Sequence, residues 1–157
     1  MNLVINASPL IFLSKIEIIQ CLPEIIDNLV IPKAVISEVE KHKDEAHEWL
    51  KTNKKSFERV VGNVPVYINA WDLGKGESEV IAYANKNKDF VAALDDKAAR
   101  NCAASMQINV VGTIGLIIIA KRRKVITDAK GYLEKLKNTG FRISDQLFDY
   151  AIKLANQ

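Results

Sequence analysis

Two cysteines and two histidines in 157 residues leave little material for a soft-metal or thiol site. Cys21 and Cys102 lie far apart with no CxxC spacing, which removes a zinc ribbon and a dithiol redox pair and leaves two free, buried thiols. His42 and His47 do not share a helical face, which removes a two-histidine metal site. The amino terminus lacks a basic leader, and Asn6, Ser8, Pro9, Ser14 and Lys15 interrupt its apolar stretch. The later apolar run from Leu116 to Ala120 is too short to span a bilayer, so a soluble cytoplasmic protein with no membrane segment is expected. There is no internal repeat and no low-complexity segment. A formal charge of +3 permits a local basic patch without announcing a nucleic-acid partner.

The length fits one domain over residues 1–157, and 48% hydrophobic with 26% charged residues argues for a globular chain rather than a disordered one. Leu3-Val4-Ile5 reads as a buried strand running directly into a helix, with Ser8 as its N-cap and Pro9 as its first residue. Ile16 to Ile26 suggests a short helix interrupted by Pro23. Leu29 to Ile31 is a second strand, and Pro32 opens a helix that carries Val35, Ile36 and Val39 inward and includes Glu38 and Glu40. Lys41 to Lys55 reads as a largely solvated helix with Ala46, Trp49 and Leu50 on one face. Ser56 to Ile68 alternates loosely and fits one or two strands around a Gly62-Asn63 turn.

A helix with an acidic first turn is expected to start at Glu77, after the break at Gly74-Lys75-Gly76. Phe90 to Leu94 is a continuous apolar strand with Asp95 and Asp96 at its tip, and Lys97 to Met106 is the helix after it. Ile108 to Val111 is a further strand closed by Gly112-Thr113. Ile114 to Lys124 is an apolar helix, and Thr127 and Ser144 look like N-caps of two more. Strands alternating with helices imply βαβ units, hence an α/β chain whose central, mainly parallel sheet is covered on both faces.

Strand-tip logic gathers Asn6, Asp95 and Asp96 at one crevice, with Glu38 and Glu79 reaching in from neighbouring helices. Carboxylates crowded into one cleft repel unless a cation neutralises them, and an all-oxygen ligand set favours Mg²⁺ or Mn²⁺ over zinc. Such an ion activates water and stabilises charge on phosphate, so phosphodiester hydrolysis suits the site. Each acid also has a plain structural reading, as a helix cap or a solvated surface residue. Lys121 and Arg122 complement the C-terminus of their helix, and are also candidate contacts for RNA phosphate. Asp95→Asn is expected to leave the fold intact, since a strand tip should face solvent.

Four ordered segments carry a resemblance to a known family. They are Val4-Ile5-Asn6-Ala7-Ser8-Pro9-Leu10, Ile31-Pro32-Lys33-Ala34-Val35-Ile36-Ser37-Glu38-Val39, the stretch Leu73 to Ala82 with Gly76-Glu77-Ser78-Glu79, and the stretch Ala93 to Arg100 with Asp95-Asp96. Their order resembles the PIN-domain family, metal-dependent nucleases that include many prokaryotic toxin-antitoxin ribonucleases. The resemblance implies a three-layer α/β/α sandwich, RNA as substrate, and a small antitoxin and a homodimer as assemblies. It places Glu38, Glu79 and Asp95 at acidic metal-site positions with Asp96 a further member, and Ser8 at the small polar position beside the first acid. Glu79 is preferred over Glu77 as the third acid. The family usually has Asp where this chain has Asn6, which opens an alternative: a catalytically weakened nucleic-acid-binding or regulatory module.

Overall fold

The computed structural model describes all of residues 1–157. Five parallel strands, β1 (Asn2–Ile5), β2 (Asn28–Pro32), β3 (Glu58–Arg59), β4 (Phe90–Ala93) and β5 (Val110–Val111), lie in the order β3-β2-β1-β4-β5. Leu3 of β1 sits between Leu29 of β2 and Val91 of β4, so the first strand is the centre of the sheet. Its residues Leu3, Val4 and Ile5 are fully buried, as a parallel strand covered on both faces requires.

Right-handed crossovers decide where the helices go. The connections β1→β2 and β2→β3 step one way along the sheet, which sets α1 (Ala7–Lys15), α2 (Leu22–Ile25), α3 (Lys33–Glu40) and α4 (Glu45–Phe57) on one face. The chain then returns past β2 and β1 to β4, which puts α5 (Val66–Asn69), α6 (Lys75–Lys86) and α7 (Lys97–Ser105) on the other. After β5, α8 (Thr113–Arg122) packs on α1, while α9 (Ala129–Asn138) and α10 (Asp145–Ala155) pack on α8. The result is a three-layer α/β/α sandwich around one hydrophobic cluster. No helix is long and apolar enough to cross a membrane.

Several local expectations are corrected. The first helix starts at Ala7, and its cap position is Asn6 rather than Ser8. Pro9 still falls in the first turn, where its missing amide has no partner to lose. Ser56 to Ile68 forms only the two-residue β3 and the single turn of α5. Its alternation misleads because Val60 and Val66 are exposed while Ile68 alone is fully buried. The charged segment begins its helix at Glu45, where Asp44 caps by accepting the His47 amide. Asp128, not Thr127, caps α9 by accepting the Gly131 amide, whereas Ser144 caps α10 by accepting the amide of Leu147.

Candidate metal and nucleic-acid site

In the strand order, the chain leaves β1 toward β2 and leaves β4 toward β5, in opposite directions. The carboxyl ends of β1 and β4 therefore flank a crevice at the point where the sheet's winding reverses. The Asn6 amide extends the ladder by donating to the Ala93 carbonyl at 3.1 Å, which fixes Asn6 at that crevice.

Asn6 is only 5% exposed, and its side-chain oxygen Oδ1 is buried without a hydrogen-bond partner. Gly76 in the first turn of α6 makes room for it. A Cβ built on Gly76 would lie 3.2 Å from Asn6 Oδ1, 3.0 Å from Glu38 Oε2 and 3.2 Å from Val35 Cγ2. Bare glycine therefore lets the carbonyl oxygen of β1 and the carboxylate of α3 converge on one small space. Both are hard oxygen donors of the kind Mg²⁺ or Mn²⁺ takes. No group of three or more His, Cys, Asp or Glu side chains is gathered closely enough to hold an ion by itself.

The other acids surround this pair in different ways. Glu79 is nearly buried, shares a cavity of about 540 Å³ with Glu38, and accepts the Ala34 amide at 3.0 Å through Oε2. It thus satisfies one orphan donor at the N-terminus of α3. Glu77 accepts the Gly74 amide at 3.1 Å and so satisfies one orphan donor at the start of α6. Burial is the main reason its carboxyl is pushed above the usual range; the Gly74 bond opposes this, and the like charges of Asp96 and Glu38 add to it. Glu77 thus lies within reach of the charges of Asp96 and Glu38, while Glu79 shares the cavity of Glu38. Asp96 caps α7 by accepting the Ala99 amide at 3.0 Å.

Asp95 is a hydrogen-bond hub. Its Oδ2 accepts the Ser8 hydroxyl at 2.8 Å and the Thr113 hydroxyl at 2.7 Å, while Oδ1 accepts the Thr113 amide at 2.8 Å. One carboxylate so ties the starts of α1 and α8 to the end of β4. This overturns the picture of a strand tip merely facing solvent, and it explains why Ser8 is not a cap: its hydroxyl is committed across the sheet. Thr113, which in the sequence only closes a strand with Gly112, joins the site by the same strand-tip logic, since it directly follows β5 and Gly112.

Lys121 and Arg122 are not brought to the crevice. They sit at the far end of α8 from Thr113, where Lys121 Nζ donates to the Thr127 carbonyl at 2.9 Å and Arg122 Nε to the Leu154 carbonyl at 3.0 Å. The cations beside the acids are instead Lys33, Lys41 and Lys75, which line the cavity of Glu38 and Glu79. Lys33 and Lys41, two turns apart on α3, follow one face of that helix.

A family profile described as a PIN domain matches residues 2–157, essentially the whole chain. The chain belongs to the PIN-domain family. Its parallel three-layer order is that of a PIN domain, a nuclease-like fold in a family that is generally metal-dependent. No curated protein and no solved structure matches this PIN domain.

Proposed function

We propose that this PIN domain is a metal-dependent ribonuclease that hydrolyses phosphodiester bonds at the crevice between β1 and β4. The observation that carries this reading is Asn6 Oδ1, buried, without a partner, and converging with Glu38 Oε2 over Gly76. An unsatisfied buried carbonyl costs about 1–3 kcal/mol, and a hard cation at that point relieves the cost. Asn6 and Glu38 would hold the ion, with Glu77, Glu79 and Asp96 adding negative potential around it. A bound Mg²⁺ or Mn²⁺ supplies an activated water and neutralises charge on a phosphate. Lys33, Lys41 and Lys75 draw the phosphate backbone to the acids, and Asp95 keeps Ser8 and Thr113 fixed beside them.

The test is a cleavage assay on single-stranded RNA titrated with Mg²⁺ or Mn²⁺ against an EDTA control, with Glu38→Gln as the comparison. Glu38 is exposed, so the variant keeps its fold and should lose cutting. Cutting that is indifferent to EDTA or to Glu38→Gln would refute the assignment.

A second reading, a non-cutting nucleic-acid-binding or regulatory module, is favoured by the neutral Asn6 and by the full commitment of Asp95 to three hydrogen bonds. It predicts RNA retention without cleavage in the same assay. Within the nuclease reading, a toxin role, a small antitoxin partner and a homodimer are carried by the family likeness.

A further inference from the structure

A second cavity of about 450 Å³ opens on the opposite side of Asp95 from Asn6's neighbours in α3 and α6, among β5, α7, the start of α8 and the α9–α10 connection. Its volume falls in the roughly 300–1,000 Å³ range of sites that bury most of a small ligand. Gly112 and Gly115 both line it, and a Cβ on Gly112 would come within 2.9 Å of Arg100 Nη1 and one on Gly115 within 2.7 Å of Val111 Cγ2, so these two side chains close directly over the glycines. Its walls are apolar: Val111 and Ile114 on one side, Leu147 and Phe141 on the other. Gly140, at φ +93°, turns the chain after α9 and delivers Phe141, whose ring is held edge-on against Phe12 at 4.9 Å.

The rim carries the opposite chemistry. Arg100 and Arg142 both line the cavity, both are exposed, and neither forms an ion pair. Arg100 is aimed in advance, because its Nη1 donates to the Leu94 carbonyl at 3.1 Å at the strand tip. The only acid in the lining is Asp95, whose carboxylate is already taken up by Ser8 and Thr113. An apolar cavity with an aromatic wall and two guanidinium groups outside any ion pair is complementary to a base attached to an anion. Bases are accessible to such a slot only when unstacked and unpaired.

We propose that this cavity receives one unpaired nucleotide of the substrate strand, its base between the Val111–Ile114 wall and Phe141 and its phosphate between Arg100 and Arg142. The inference rests on the nuclease reading for its substrate and deepens it: the enzyme draws its base preference from this slot.

The test measures binding of the four ribonucleoside 5′-monophosphates, their nucleosides and inorganic phosphate by calorimetry in EDTA, so that no metal or cleavage is required. At least one nucleotide should bind about tenfold or more tighter than its nucleoside or than phosphate, a gap of the size that a charge-assisted contact supplies. Arg142→Ala should abolish the advantage of nucleotide over nucleoside, and Leu147→Ser should weaken nucleotide and nucleoside alike, both with unchanged melting temperature. Nucleotide binding no tighter than that of phosphate, or unaffected by Arg142→Ala, overturns the proposal. So does binding of an oligoglutamate peptide without binding of nucleotide, which would make the cavity a protein-docking site. RNA cleavage without nucleotide binding sinks the slot and leaves the nuclease standing, whereas nucleotide binding without cleavage under any divalent ion sinks the nuclease and supports the slot.

Discussion

Glu79 Oε2 accepts the Ala34 amide at 3.0 Å, so a carboxylate of α6 closes the N-terminus of α3, the helix that carries Glu38. Removing the acceptor strands a partly buried amide. Glu79→Ala should therefore cost about 1–3 kcal/mol in urea unfolding, with an unchanged m-value. Glu79→Gln retains an accepting oxygen and should cost clearly less. Equal losses for the two variants would show that the Ala34 bond is not what Glu79 contributes.

Asp95→Asn should destabilise the fold, because an amide offers one accepting oxygen where the carboxylate now serves Ser8 and Thr113 with two. Hydrogen bonds to a charged acceptor are each worth about 1.5–3 kcal/mol, so a drop of that order is expected in thermal or urea melts. A variant as stable as the parent would show that the hub is dispensable. Loss of activity in Asp95→Asn should accordingly be judged at a temperature where the variant is still folded.

Gly76→Ala separates the site from the scaffold. In the first turn of α6 alanine is the better helix former by about 1 kcal/mol, while its Cβ crowds the buried Val35 methyl at 3.2 Å, so the two effects oppose and stability should change little. The added Cβ nevertheless enters the space shared by Asn6 Oδ1 and Glu38 Oε2. Mn²⁺ binding measured by calorimetry should weaken while the melting temperature changes little. Unchanged Mn²⁺ affinity would move the ion away from Gly76.

The thiols should be poor nucleophiles. Burial pushes the Cys102 thiol up, and burial followed by the nearby Glu24 does the same for Cys21, so both hold less thiolate than a free cysteine at a given pH. Alkylation by iodoacetamide at mildly alkaline pH should be slow in the native protein and fast in denaturant. A folded-state value above the unfolded one means that the contribution to stability is complete below the unfolded thiol range and is lost as pH climbs through the folded value. Rapid native labelling of Cys102 would contradict its burial.

Much of this architecture was legible in residue order. Leu3-Val4-Ile5, Leu29-Val30-Ile31 and Phe90 to Leu94 are continuous apolar runs, and a strand buried on both faces leaves no other pattern. The ends of β1 and β4 are neighbours, as the strand pattern implies: the Asn6 amide donates to the Ala93 carbonyl and the Ser8 hydroxyl to Asp95. Three things escaped it. Periodicity cannot tell an exposed Val60 or Val66 from a buried one, so the alternation over Ser56 to Ile68 fits one or two strands where the fold has the two-residue β3 and the single turn of α5. The direction of α8 carries Lys121 and Arg122 away from Thr113, a fact that only the helix axis reveals. Gly76, Gly112 and Gly115 shape the two cavities by what they leave out, and an absent side chain has no signature along the chain.

Asn6 Oδ1 is assigned to face a divalent cation, and Mn²⁺ calorimetry on Asn6→Asp reads out that assignment. A unit charge added about 4 Å from another at an effective dielectric near 20 is worth about 4 kcal/mol before desolvation is subtracted. Mn²⁺ affinity should therefore rise by at least about tenfold, and RNA cleavage, if the chain cuts, should reach its plateau at lower metal concentration. Unchanged Mn²⁺ binding in a folded Asn6→Asp protein would mean that Asn6 does not face the ion, and the crevice between β1 and β4 would lose its assignment as the metal site.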